Sequence, residues 1–166
     1  MTRSSPACAG YGSETGFSGS GGGVSQVFAR PAFQTGCRVP AGTQRLVPDV
    51  ALEANPSPGN YVAEGGFWYI VGGTSIAAPQ WAGFVALLNQ KLGGSGVGNP
   101  GARLYGICGT SAFHDVTSGE NGDYRAGEGF DMVTGLGTPE VRNFLEPPST
   151  TTTTSSTTST TKPCGG

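Results

Sequence analysis

The chain has 166 residues, enough for one modest domain. Gly supplies 30 residues and Pro 12, together about a quarter of the chain, while charged residues make up only 12%, about half the common share of roughly 25%. This composition excludes helical bundles and coiled coils as a class, and a net charge of −2 with no Lys/Arg cluster excludes a phosphate-neutralising nucleic-acid partner.

No run of about 18 apolar residues is present, so the sequence contains no candidate membrane-spanning helix. The opening Met1–Gly12 stretch has no apolar core of signal-peptide length. In chain order, Phe17 to Gly23 reads as a Gly/Ser loop. Ser25 can cap a short helix through Phe28 and Phe33, ended near Pro31. Leu46 to Leu52 reads as a strand and Asn55 to Gly59 as a turn. Tyr61 to Ala63 and Phe67 to Val71 flank Glu64-Gly65-Gly66 and predict a β-hairpin. Alternation at Phe67, Trp68 and Tyr69 predicts one buried strand face, with the other bordering either solvent or a substrate cleft.

Ser75 to Leu92 is the one long helical pattern, with Ile76, Phe84, Leu87 and Leu88 at helical spacing and Gly93-Gly94 at its end. Trp81 on this helix is expected in the core. A short helix is predicted near Ala102 to Tyr105, and another over Pro139 to Leu145 with Thr138 as its cap. Strands interleaved with helices predict an α/β fold. From Ser149 to Thr161 every residue is Ser or Thr, which predicts an extended, disordered tail suited to O-glycosylation. Cys8, Cys37, Cys108 and Cys164 form no CxxC pair, which argues against a thiolate zinc site; their even number permits disulfides without specifying a pairing.

The segment that carries chemistry is Val71-Gly-Gly-Thr-Ser75-Ile-Ala-Ala-Pro79, a junction between a strand and the long helix. Gly72 and Gly73 allow a tight turn and room for a substrate backbone. The helix N-terminus offers free N–H groups and a partial positive charge to an oxyanion formed beside Ser75. The competing reading is that Ser75 is only a helix cap. A nucleophilic Ser needs a base. His114 is the one His, it follows the Ser, and a structural role is expected for it. The segment from Asp115 to Asp131 holds five carboxylates among four glycines. It is read either as a calcium loop or as a solvated acidic loop.

Four segments in order carry a resemblance to a known family. They are Phe17 to Ser25 with Phe28-Ala-Arg-Pro31 and Gln34; Val47-Pro-Asp-Val-Ala51; Gly72-Gly-Thr-Ser-Ile-Ala-Ala-Pro79 with Trp81-Ala-Gly83; and Phe113-His-Asp-Val116 with Ala126 to Asp131 and Thr134 to Pro139. Together they resemble the sedolisin family of serine-carboxyl peptidases over residues 14–146.

The resemblance implies a subtilisin-like α/β fold with a mostly parallel sheet, incomplete here because only the C-terminal portion of the catalytic domain is matched. It implies a serine-type endopeptidase working at acidic pH on a protein or peptide substrate; the Ser/Thr-rich tail, of a kind that belongs mostly to secreted proteins, separately points to secretion. Ser75 falls on the nucleophile. The family's general-base Glu, the Asp that orients it and the oxyanion Asp lie upstream of the Gly-rich segment, and no residue of this chain falls on them; the context of Glu14 does not match, and Asp49 is read as structural. The isolated chain is therefore expected to be inactive and to need the upstream part of the same domain as its partner.

The resemblance also implies one Ca²⁺ ion held by the carboxylates of Asp115 and Asp131 and the carbonyls of Val116, Gly127 and Gly129. The expected domain plan is 1–146 for the peptidase part, 147–162 for a Pro/Ser/Thr-rich linker and 163–166 for the start of a further segment. The alternative function is a non-catalytic calcium-binding module on a Ser/Thr-rich stalk.

Overall fold

The computed structural model describes residues 11–94 and 96–146. The expected tail and linker, with Cys8 and Cys164, lie outside the described residues. The elements in chain order are β1 (Gly23–Ala29), β2 (Gln44–Val47), β3 (Asn60–Glu64), β4 (Phe67–Val71), α1 (Thr74–Lys91), α2 (Gly101–Gly106), β5 (Phe113–His114), β6 (Thr138–Pro139) and α3 (Val141–Leu145).

The strands among the described residues form three two-stranded antiparallel sheets, β1–β2, β3–β4 and β5–β6. The mostly parallel sheet expected from the sequence is not present there. The reason is connectivity. A parallel pair needs a crossover of a dozen or more residues, usually a helix. The one long helix, α1, leads from β4 into α2 and not into a strand that returns beside β4.

The expected helix after Ser25 is strand β1. Ser25 Oγ does accept the amides of Val27 at 3.2 Å and Phe28 at 2.9 Å, as a cap would. The chain stays extended nonetheless, with its register shifted between Val24 and Ala29 against β2. The strand expected over Leu46 to Leu52 stops at Val47. Beyond it, Asp49 O accepts Leu136 N–H at 2.8 Å and Ala51 N–H donates to Gly137 O at 3.0 Å. Thr138 is a strand residue rather than a helix cap, because it pairs with His114; Glu140 caps α3 instead, accepting Asn143 N–H at 2.8 Å.

The expected hairpin is present, with Glu64 opposite Phe67 and Asn60 opposite Val71. Its burial does not follow the alternation: Phe67 is 68%, Trp68 73% and Tyr69 48% exposed. Both faces are open, so period 2 here reports strand geometry without a buried side.

The core gathers Trp81 and Leu88 of α1, Leu104 and Tyr105 of α2, Phe113, Phe130, Leu136 and Phe144 around Leu46. Trp81 is central, as expected. Its ring meets Phe144 edge-on at 5.5 Å and Phe84 edge-on at 5.9 Å, and its indole N–H donates to Ala51 O at 3.0 Å. Phe144 is fully buried. Phe144→Ala is expected to destabilise the chain by about 3–5 kcal/mol, the transfer term plus the cavity term; the midpoint of denaturant unfolding measures it.

A polar cluster crosses this core. Gln34 is fully buried and brackets Leu46, accepting its N–H at 2.9 Å and donating to its carbonyl at 2.8 Å. Tyr105 Oη donates to Asp49 Oδ1 at 2.8 Å and Gln34 Nε2 lies 2.9 Å from the same hydroxyl. Arg45 pairs with Asp49 through both guanidinium arms. Asp49 is thus a structural acceptor, as the sequence led one to expect.

The opposite side of α1 is apolar and uncovered. Ala78, Ala82, Gly83, Ala86 and Leu87 lie exposed at helical spacing, and Leu87, expected inside, is 47% exposed. No described helix is long and apolar enough to cross a membrane.

Candidate active site and candidate ion site

Ser75 is the second residue of α1 and is exposed. Gly73 is the N-cap, with φ 107° and ψ 155°, and no side chain caps the helix. The cap reading of Ser75 is therefore overturned. Gly73 N–H donates to Ala54 O at 2.6 Å, and Gly73 O accepts Ile76 N–H at 3.0 Å. Gly72 is required by close approach: a Cβ there would lie 2.4 Å from the Pro56 backbone. The two glycines thus seat the start of α1 against the Asn55–Gly59 turn and leave Ser75 facing outward.

Of the amides at the helix start, which lack i−4 partners, Gly73 and Ile76 are engaged as above, while those of Thr74 and Ser75 have no partner among the described residues and are available to an anion beside Ser75. Pro79 is the sixth helical residue, past the first turn, so it leaves the Ser75 carbonyl without its helical donor.

His114 stacks on Tyr11, with ring centroids 3.7 Å apart and planes at 6°. Tyr11 Oη donates to Glu14 Oε2 at 3.1 Å, and Thr138 Oγ1 donates to the same oxygen. Burial and the neighbouring Glu14 carboxylate push the Tyr11 hydroxyl up to about 12. Glu14 and His114 are thus engaged with each other's neighbours at the β5–β6 pair, and the structure gives them a packing role.

The acidic Gly-rich segment sorts four of its five carboxylates into two kinds. Glu120 pairs with Arg125 at 3.0 Å and Glu128 with Arg38 at 2.7 Å, both exposed. Asp115 and Asp131 instead turn toward one short stretch of backbone. Asp115 Oδ2 accepts Gly129 N–H at 2.8 Å, and Asp131 Oδ2 accepts Gly127 N–H at 3.0 Å. Asp131 Oδ1 accepts the amides of Val133 and Thr134, both at 2.8 Å.

Val116, buried, offers its carbonyl to Thr134 Oγ1 at 3.5 Å. The carbonyls of Gly127 and Gly129 accept no hydrogen bond from the described residues. The structure therefore brings Asp115, Val116, Gly127, Gly129 and Asp131 into one neighbourhood. Among the described residues no group of three His, Cys, Asp or Glu side chains is placed to hold a metal, so any ion there would depend on backbone oxygens. Thr134, which orders both Val116 O and Asp131, was not singled out from the sequence; the Thr134-Gly-Leu-Gly137 string was its only signal.

Cys37 and Cys108 form a disulfide with Cα atoms 6.1 Å apart. The sequence left this pairing open, since 71 residues separate the two.

No family model matches the chain. Kumamolisin from a Bacillus species is 44% identical over 131 residues, covering 72% of this chain and 23% of that protein. Xanthomonalisin from a Xanthomonas species is 38% identical over 127 residues, covering 73% of this chain and 15% of that protein. Among solved structures, Pseudomonas sedolisin, a serine-carboxyl proteinase complexed with two molecules of pseudo-iodotyrostatin, superposes with a TM-score of 0.74 at 30% identity, over 81% of this chain and 40% of that chain. The chain spans less than a quarter of the length of these curated relatives. The order of its motifs, the identity to several relatives and the shared fold agree: the chain belongs to the sedolisin family of serine-carboxyl peptidases.

Proposed function

We propose that residues 1–146 are the C-terminal part of the catalytic domain of a secreted serine-type endopeptidase, with Ser75 as the nucleophile. Residues 147–162 are its linker and 163–166 the start of a further segment. The observation that carries this reading is the exposed Ser75 in the uncapped first turn of α1. Attack of Ser75 Oγ on a scissile carbonyl would place the new oxyanion near a helix terminus whose free amides and partial positive charge favour it. Secretion is supported by the Cys37–Cys108 disulfide, a bond that persists in oxidising compartments.

The partner of this part is the upstream part of the same domain, which supplies the activating carboxylates and the strands of the wider sheet. Two uncovered apolar surfaces support this: the outer face of α1, and the hairpin with Trp68 and Ile70 exposed. Acidic working pH follows from carboxylate rather than imidazole activation. The test compares turnover of a protein substrate at acidic pH by the 166-residue chain alone and by the chain joined to its upstream part. Activity is expected only in the joined form. Turnover by the chain alone that is abolished by Ser75→Ala would sink the proposal that the base lies elsewhere.

The residues around Gly127 to Asp131 fit a calcium ion. They supply two carboxylates and two unengaged carbonyls, the hard oxygen donors that calcium prefers. Asp115, Asp131, Val116, Gly127 and Gly129 would hold one ion, whose chemistry is charge neutralisation and cross-linking of the segment. An ion that binds only the folded chain stabilises it by about 2.7 kcal/mol at a hundredfold excess over Kd. Calcium is accordingly expected to raise Tm, and Asp131→Ala to abolish the rise. Equal melting with calcium and with a chelator would count against the site.

A further inference from the structure

Two consecutive non-glycine residues, Cys37 and Arg38, have positive φ, 44° and 63°. This conformation is uncommon for residues with a Cβ. It turns the chain between β1 and β2 so that two groups of Cys37 face different ways. Its sulfur reaches Cys108, just after α2, and its carbonyl accepts Phe130 N–H at 2.7 Å.

The same turn presses on Gly129. A Cβ at Gly129, whose φ is 77°, would lie 2.7 Å from Cys37 O and 3.2 Å from Arg38 Cβ. On its other side, Gly129 N–H is held by Asp115 Oδ2 at 2.8 Å. A cavity of about 350 Å³ between them is lined by Cys37, Arg38, Asp115 and Gly129 together. The Gly127–Asp131 segment is thus gripped between a carboxylate and a disulfide-anchored carbonyl. Glycines leave this segment with more backbone freedom than any other residue would, and the affinity of a calcium site depends on its rigidity as well as its charge.

We propose that the Cys37–Cys108 disulfide is the positioning tether of the ion-binding segment: it fixes the Cys37 carbonyl against Phe130 N–H and so holds the Gly127 and Gly129 carbonyls in place for the ion. This rests on the calcium reading above. The exposed Arg38–Glu128 pair adds little to the grip, because exposed ion pairs are weak.

The test compares the full chain with its Cys37→Ala/Cys108→Ala variant. Calcium affinity is measured by titration calorimetry, and amide hydrogen exchange is followed in a chelator. The variant is expected to bind calcium at least about tenfold more weakly. Exchange should accelerate at Gly129 and Phe130 while Trp81 and Leu88 in α1 keep their protection. Equal calcium affinity in the two proteins overturns the tether and leaves the ion site standing. Acceleration shared by Trp81 and Leu88, or a variant that does not fold, makes the bond a general staple and overturns the tether as well. A parent chain that binds no calcium overturns the ion reading and the tether with it.

Discussion

Ser75→Ala in the chain joined to its upstream part is expected to lower peptide turnover at least about 10⁴-fold, with Tm unchanged. The loss has the size seen when the nucleophile of a catalytic set is removed, because the remaining members have nothing to activate. The unchanged Tm follows from the geometry. Ser75 is exposed and is not the helix cap; that role belongs to Gly73. A cap would lose about 1 kcal/mol on substitution by Ala, whereas an exposed helical position usually stays within about 0.5 kcal/mol. A large loss of turnover with no loss of stability separates chemistry from capping. Comparable turnover in the Ala variant would remove Ser75 from the mechanism.

Asp49→Ala is expected to destabilise the chain by about 2–4 kcal/mol, read from the denaturant midpoint. Its carboxylate accepts from Arg45, from Tyr105 Oη and, at 3.4 Å, from Gln34 Nε2. Removing it strands the Tyr105 hydroxyl proton and takes the carboxylate from the Arg45 guanidinium, while Gln34 Nε2 keeps the Leu46 carbonyl and the Tyr105 oxygen. The hydrogen bond to Asp49 raises the Arg45 pKa above its ordinary value against the opposing effect of burial. The Tyr105 hydroxyl is also raised, first by burial and then by Asp49, with Gln34 pulling the other way.

A tyrosine with a raised folded pKa stabilises the fold fully below the ordinary value of 10.0. That stability is lost as pH rises above it, because the unfolded state releases its proton first. The unfolding midpoint is therefore expected to fall above about pH 10, and Tyr105→Phe to flatten that part of the decline. A Tyr105→Phe chain with the same alkaline slope would show that another group sets it.

Local structure was legible where local chemistry decides it. The hairpin was marked by Glu64-Gly65-Gly66 between β-forming residues, and α1 by its apolar spacing and terminal glycines; both stand within a residue or two of their expected bounds. The segment after Ser25 was misread because a Ser that bonds the next amides looks the same at a helix start and at a strand irregularity. Pairing across the chain separates the two, and β2 supplies it. Thr138 was misassigned for the same reason, its partner His114 being 24 positions away.

Leu87 and the aromatics of β4 show the limit of periodicity. Apolar spacing marks a face that prefers burial without saying what buries it. In this chain the outer face of α1 and both sides of the hairpin are open. The expected parallel sheet belongs to the same class: which strands pair is a tertiary matter, and the named strands among the described residues pair antiparallel.

The candidate sites divide along the same line. The residue types and their order were enough to single out Ser75 at a Gly-rich strand–helix junction; the acidic Gly-rich segment by itself left a calcium loop and a solvated loop both open, and the family resemblance was what pointed to Asp115 and Asp131. Which carboxylates turn toward the Gly127–Asp131 backbone was a tertiary matter: Glu120 and Glu128 are drawn off by Arg125 and Arg38, while backbone amides hold Asp115 and Asp131. So was the Cys37–Cys108 pairing, which no spacing specifies. The sequence by itself determined the family motifs and the local elements, the latter set by short-range sterics and hydrogen bonding. Only the tertiary structure decided the helix cap, the disulfide, the Asp49 cluster and the uncovered faces, because each depends on which distant segment the fold brings alongside.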